Sequence, residues 1–178
     1  MRLALVATAM LVLGIMLGAL AASAPGLAAA PGGTVVAQQG GTVAEASISL
    51  ALATRLLDAM QQRATEMGVP VGLAVVDPSG RLKAFHRMDG SRPNHIDSAI
   101  NKAWTSVQYG RDNGELWERV QGNPALFATV SNVPHVDFTE GGRLLRVDGQ
   151  VVGALGVAGG VAGQDVTIGD AALALLPQ

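Results

Sequence analysis

Three histidines, a lysine, a threonine and an arginine are the side chains of this chain best suited to bind or transform a small molecule. His86 stands in FHRMDG, His95 in SRPNHID and His135 in VPHVD. A neutral imidazole can ligate a metal ion or act as a general base near neutral pH. His95 follows Arg92-Pro93-Asn94 and precedes an apolar-periodic stretch, a loop edge from which it could reach a metal. The ordinary alternative is a helix-flanking residue in contact with solvent. His86 alternates with Phe85 along a strand, which puts the two rings on opposite faces. His135 follows Pro134 in an irregular segment, with Asp137 nearby. Scattered in this way, the three can supply iron ligands only if the fold or an oligomer brings them together.

Lys102 and Thr105 fall on the polar side of a helix. Lysine there is ordinarily a solvated charge, and threonine is ordinarily packed or bonded back to the helix. A hydroxyl beside Trp104 could nevertheless reach a planar ligand lying on that helix. Arg87 and Asp89 flank a hairpin exit and can pair with each other. Arg87 or Lys102 could instead bind a carboxylate while a histidine serves as base, the arrangement of a lyase, isomerase or hydrolase acting on an organic acid. No nucleotide fingerprint, nucleophile elbow or i,i+4 histidine pair is present. Gly153-x-x-Gly156 lies inside a strand pattern, where glycines serve close approach of backbones.

The elements that must position these groups follow from periodicity. Ser47 or Ser49 can cap a helix running to about Met67, with Leu52, Leu56 and Met60 on one face and Gly68 ending it. Val71 to Val76 and Leu82 to Met88 form a hairpin around Asp77-Pro78-Ser79-Gly80, a type I turn sequence. Ile96, Ala99, Ile100, Ala103, Trp104 and Val107 make a continuous helical stripe. A short helix is expected around Glu115 to Val120, broken by Gly122-Asn123-Pro124. Leu126 to Val130 could be a third strand, and residues 131–141 read as a long loop. Arg143–Val147 and Gln150–Val157 flank Asp148-Gly149 as a second hairpin. Gln164 to Leu176 closes as a helix, with Asp165 in its first turn complementing the dipole. Hairpin-linked strands alternating with helices imply an α+β fold with an antiparallel sheet.

Composition narrows the function classes. The 178 residues carry a net charge of −2, no cysteine and 3% aromatic residues. A weakly acidic chain without clustered Lys and Arg argues against nucleic-acid binding. The lack of cysteine removes disulfides, thiolate zinc sites, iron–sulfur clusters and a thiol nucleophile. So few aromatic residues predict an aliphatic core and argue against aromatic cages. At the N-terminus, Arg2, an apolar run from Leu3 to Leu20 and Ala28-x-Ala30 read as a signal peptide over residues 1–30. Its removal would leave a charge of about −3 and deliver a secreted or periplasmic protein. Residues 31–44, small and Gly-rich, read as a flexible linker, and residues 45–178 as one domain.

Four segments in order, AVVDPSG, FHRMDG, IDSAINKAWTS and DGQVVGALGVAGG, resemble the GlcG/HbpS family of haem-binding and haem-degrading proteins. The same module occurs at the C-terminus of some corrinoid adenosyltransferases. The resemblance covers about residues 46–176. It implies an α+β fold with a five-stranded antiparallel sheet flanked by helices, a homo-oligomer built from dimers up to octamers, and haem as cofactor. It further implies slow haem degradation, iron sequestration under oxidative stress, and partnership with an extracytoplasmic two-component sensor kinase. The resemblance points to Lys102, Thr105 and Arg87 as haem contacts, with Met88 and Asp89 also in the hairpin-exit motif, and the histidine reading adds His95 and His86 to the expected contacts. Thr105 matches a position near the haem iron, while His95 and His135, from the histidine reading, are the expected iron ligands. The chain departs from the family pattern at three places. His95 replaces a small hydroxyl residue, Ala158 replaces a serine, and Gly141-Gly142-Arg143-Leu144 replaces Gly-Gly-Val-Pro.

Overall fold

The computed structural model describes residue 41, residues 44–161 and residues 163–177. The expected signal peptide and nearly all of the expected linker lie outside these residues. Helix α1 spans Leu50–Glu66, followed by strands β1 (Gly72–Val76) and β2 (Leu82–Arg87). Three helices come next: α2 (Asn94–Tyr109), α3 (Asn113–Val120) and α4 (Pro124–Ser131). Strands β3 (Gly142–Val147) and β4 (Gln150–Ala158) and helix α5 (Gln164–Leu173) complete the fold. The fold is α+β, as expected. The sheet has four antiparallel strands in the order β2-β1-β4-β3, not the five expected.

The missing strand is α4, and its start explains the change. Asn123 is extended and its side chain accepts the N–H of Leu126 at 3.0 Å, while Pro124 occupies the first helical position. Asn as N-cap followed by Pro at N1 is a helix start, where proline's missing N–H costs nothing. Gly122-Asn123-Pro124 therefore begins a helix as well as ending one. Elsewhere the local signals act as read. Ser49 caps α1 by accepting the N–H of Leu52. Asp77 Oδ1 holds the first turn through the N–H groups of Ser79 and Arg81. Asp148 and Gly149 both take positive φ, the backbone a two-residue hairpin turn requires.

Alternation along β1 divides the core into two layers. Val71, Leu73 and Val75 face α1 and α5 together with Leu56, Leu57, Met60, Leu155 and Ile168. Ala74 and Val76 face α2, where the buried partners are Ala99, Ala103, Ala154 and Ala158. This second layer is made of small residues, so α2 lies close against the sheet. Gly156 is the tightest point: a Cβ there would come within 2.8 Å of the Ala103 backbone nitrogen. The approach brings the first turn of α2 beside the end of β4, and these two elements begin the candidate site.

A cleft between α2, α3 and the end of β4

An open cleft of about 760 Å³ runs between α2, α3, the loop before β3 and the turn joining β4 to α5. Roughly 300–1,000 Å³ is the usual range of small-molecule sites. His95, Ser98 and Lys102 line one wall at i, i+3 and i+7 on α2. Ala158, Gly159 and Gly160 supply a second wall of main chain and small side chains.

The third wall is aromatic. Trp117 and Phe138 line the cleft and lie 6.0 Å apart between ring centroids. Phe127 of α4 stacks on Phe138 at 5.5 Å and meets Trp117 edge-on at 6.1 Å. Trp117 and Phe127 remain 41% and 39% exposed, which leaves an apolar surface beside the opening. The core is aliphatic, as composition predicts, and the aromatic residues gather here instead. Residues few along the chain are concentrated in space by α3, α4 and the loop that follows.

Lys102 is not the solvated charge its helix position suggested. It is 4% exposed, and its ammonium donates to Asp165 Oδ2 at 2.7 Å and to the Val157 carbonyl at 2.9 Å. Asp165 Oδ1 accepts the N–H of Gly160 at 2.7 Å. The pair joins α2, on one face of the sheet, to the first turn of α5, which packs on the other. The sequence presents Asp165 only as a dipole partner; the buried lysine it answers, 63 residues away, gives no local signal.

His95 belongs to the cleft and also closes the first turn of α2. Its Nδ1 accepts the backbone N–H of Arg92 at 3.3 Å and lies 3.2 Å from Ser91 Oγ. In return the His95 N–H donates to the Arg92 carbonyl at 3.0 Å. This reciprocal pattern follows the logic of a capping box. Burial, and then the charge of Arg92, hold the imidazole below its ordinary pKa; Asp165 acts in the opposite direction, and Lys102 adds to the lowering.

The other expected residues lie elsewhere. Thr105 is fully buried beneath the loop, donating to the His135 carbonyl and accepting the N–H of Asp137 at 2.9 Å. His135 is exposed, has φ of 69°, and sets its ring edge-on to Trp104 at 5.9 Å, outside the cleft lining. His86 pairs with Leu73 across β1–β2, so it faces α1, on the side of the sheet away from α2. Its Nδ1 is buried without a partner. The Arg87 guanidinium donates to the Ser91 carbonyl at 3.1 Å and steadies the loop that presents Ser91 to His95. Arg143, at a departure from the family pattern, bridges Asp112 at 3.2 Å and Asp170 at 2.7 Å. Among the described residues no group of three or more His, Asp or Glu side chains is arranged as metal ligands.

The four-segment pattern and the fold meet in the comparisons with known proteins. Residues 48–174 match the family model described as haem degrading protein HbpS-like. The chain belongs to the HbpS-like family. It is 33% identical over 111 residues to Protein GlcG of Escherichia coli K12, covering 62% of this chain and 81% of that protein. It resembles a double mutant of Streptomyces reticuli HbpS with a TM-score of 0.71 and 31% identity, over 82% of this chain and 98% of the other. It also resembles PduOC, solved as a complex with haem, with a TM-score of 0.68 and 32% identity, over 72% and 94%. Across the family match, the HbpS-like module is the described α+β domain.

Proposed function

We propose that the protein binds haem in this cleft. The observation that carries the reading is the division of the walls. Trp117 and Phe138 offer an apolar aromatic surface on one side, with His95, Lys102 and Arg92 as polar groups on the other. Haem is a flat apolar ring with two carboxylate arms, and such a wall with a few convergent polar groups suits it. Haem in a relative's complex and the family match support the same reading. The residues that would hold it are Trp117 and Phe138 against the ring, and Arg92 and His95 at its polar edge. When bound, haem supplies the iron and its redox chemistry; the protein's part is to hold the ring and limit its contact with water. Titration of the purified protein with hemin is expected to give a saturable, shifted Soret band. A spectrum identical to free hemin at every ratio would reject the proposal.

The finer reading places this binding outside the cytoplasm, in a homo-oligomer that sequesters haem, degrades it slowly and serves a sensor kinase. It rests on the N-terminal sequence pattern and the family resemblance. No helix among the described residues is long and apolar enough to cross a membrane. Mass analysis of the protein recovered outside the cytoplasm should find residues 1–30 removed. Light scattering should give a multiple of the dimer mass, and slow bleaching of the Soret band in air with a reductant, dioxygen being the oxidant that opens the ring, should report degradation. The organic-acid enzyme is the weaker reading. The lone pair of His95 is occupied by the Arg92 N–H and the charge of Lys102 by Asp165, so neither group is free for that chemistry.

A further inference from the structure

We infer that His95 serves the ligand as a hydrogen-bond donor through Nε2–H, sharing a carboxylate with Arg92, and does not ligate the iron. The inference rests on the haem-binding reading and specifies how the cleft grips its ligand. The polarity of one hydrogen bond fixes the tautomer of His95. The backbone N–H of Arg92 can only donate, and it donates to His95 Nδ1 at 3.3 Å. A neutral imidazole carries one proton and one free lone pair on its two nitrogens. The lone pair is therefore at Nδ1 and the proton at Nε2. The ring cannot simply be turned over, because a C–H would then face the Arg92 N–H. Ser91 Oγ, 3.2 Å away, fits this tautomer, since its hydroxyl can turn to donate toward Nδ1.

Iron ligation needs the opposite arrangement. A histidine bound through Nε2 carries its proton on Nδ1 and donates it to an acceptor. Here that proton would point at another N–H, and the first turn of α2 would lose its closing bond. Ligation through Nδ1 fails as well. That atom is already engaged by two neighbours, and Gly159 packs so close that a Cβ on it would lie 2.8 Å from Nδ1. Nε2–H has no partner among the described residues, and His95 lines the cleft.

The charges nearby select the acceptor. Lys102 is already neutralised by Asp165. Arg92 lines the same cleft, is exposed, and forms no ion pair among the described residues. Glu140, the remaining charge on the rim, lies against Gly114 at the start of α3. A guanidinium and an imidazole N–H three residues apart make a donor pair for a carboxylate. On haem, that acceptor is a propionate.

The test separates carboxylate from iron. Wild-type protein, His95→Ala, His95→Gln and Arg92→Ala are each titrated with three probes. These are hemin, read by the Soret band, and metal-free protoporphyrin IX and its dimethyl ester, read by porphyrin fluorescence. Wild type is expected to bind the metal-free acid about as well as hemin, and the ester roughly tenfold or more weakly, since a charge-assisted contact is lost. His95→Ala and Arg92→Ala should weaken hemin and the metal-free acid by the same factor. His95→Gln, which keeps an N–H donor, should recover most of the loss; its circular dichroism and that of His95→Ala should match wild type. Ester binding as tight as that of the acid would overturn the inference. So would His95→Ala weakening hemin alone, with an altered Soret position, because that is the signature of an iron ligand. Failure of wild type to bind hemin at all would reject the haem-binding reading itself.

Discussion

Lys102 Nζ and Asp165 Oδ2 lie 2.7 Å apart in the wall of the cleft, each less than a tenth exposed. The ammonium also reaches the Val157 carbonyl, and the second carboxylate oxygen accepts the Gly160 N–H. Removing one member of such a pair leaves an uncompensated buried charge, whereas replacing both with neutral groups is far less costly. Lys102→Met is therefore expected to lose about 3–5 kcal/mol of unfolding free energy. Lys102→Met with Asp165→Asn keeps an acceptor for Gly160 and should recover most of that loss. Urea denaturation of the three proteins decides the point; equal losses in the single and double variants would refute it.

Acidification should destabilise the fold through His95. Burial and the charge of Arg92 lower its folded pKa beneath the ordinary 6.5. As pH falls, the unfolded chain takes up its proton first. The stability associated with the neutral ring is therefore complete above about 6.5 and is lost as pH falls through the lowered folded value. The imidazolium would also lack the lone pair that accepts the Arg92 N–H. Thermal melts from about pH 8 to about pH 5 should fall more steeply in wild type than in His95→Gln. Parallel curves would reject this assignment.

His86 should be replaceable without harm to the cleft. Its Nδ1 is buried and unpartnered on the α1 side of the sheet, and an unsatisfied buried polar atom costs about 1–3 kcal/mol. His86→Leu is expected to be neutral or to raise stability by about 1 kcal/mol. Hemin titration of this variant should match wild type. A marked loss of binding would place His86 in the site after all.

The cap of α4 should be felt at the aromatic wall. Asn123→Ala removes the acceptor for the Leu126 N–H and should cost about 1 kcal/mol. Phe127, carried by α4, packs against both Trp117 and Phe138. The substitution should therefore shift tryptophan emission as well as lower the melting temperature. An unchanged emission spectrum would show that the cap and the wall are independent.

Elements with a strong local signal were legible in the chain. The apolar stripe from Ile96 to Val107 lies within α2, and Asp148-Gly149 makes the tight turn it suggested. The four-segment pattern located the family and the α+β class. Helix α4 was obscured because Gly122-Asn123-Pro124 terminates one helix and caps the next, and a short apolar run has no decisive period. The Lys102–Asp165 pair was invisible for a different reason. Each charge sits where an isolated helix would expose it, and only the packing of the sheet end buries both. The aromatic wall was hidden by composition, since Trp117, Phe127 and Phe138 meet only through the turns around α4. His95 lies in the first turn of α2, at the helix mouth its sequence position indicates, but the partner of its Nδ1 is a backbone N–H that no local pattern reveals.

Gly159 and Gly160 form a wall of the cleft that is closed to substitution. A Cβ on Gly159 would strike the His95 ring at 2.8 Å, and one on Gly160 would strike Asp165 Oδ1 at 2.7 Å. That wall is therefore held to bare main chain by the very residues that complete the polar side. The opposite wall, carried by Trp117, Phe138 and Glu140, is built of side chains, with Trp117 41% exposed. Diversification of ligand preference would fall on the segment from α3 to β3, while the β4–α5 turn stays the same. Exchanging residues 113–140 between relatives should then carry ligand preference with it, leaving the sheet and α2 as a common chassis.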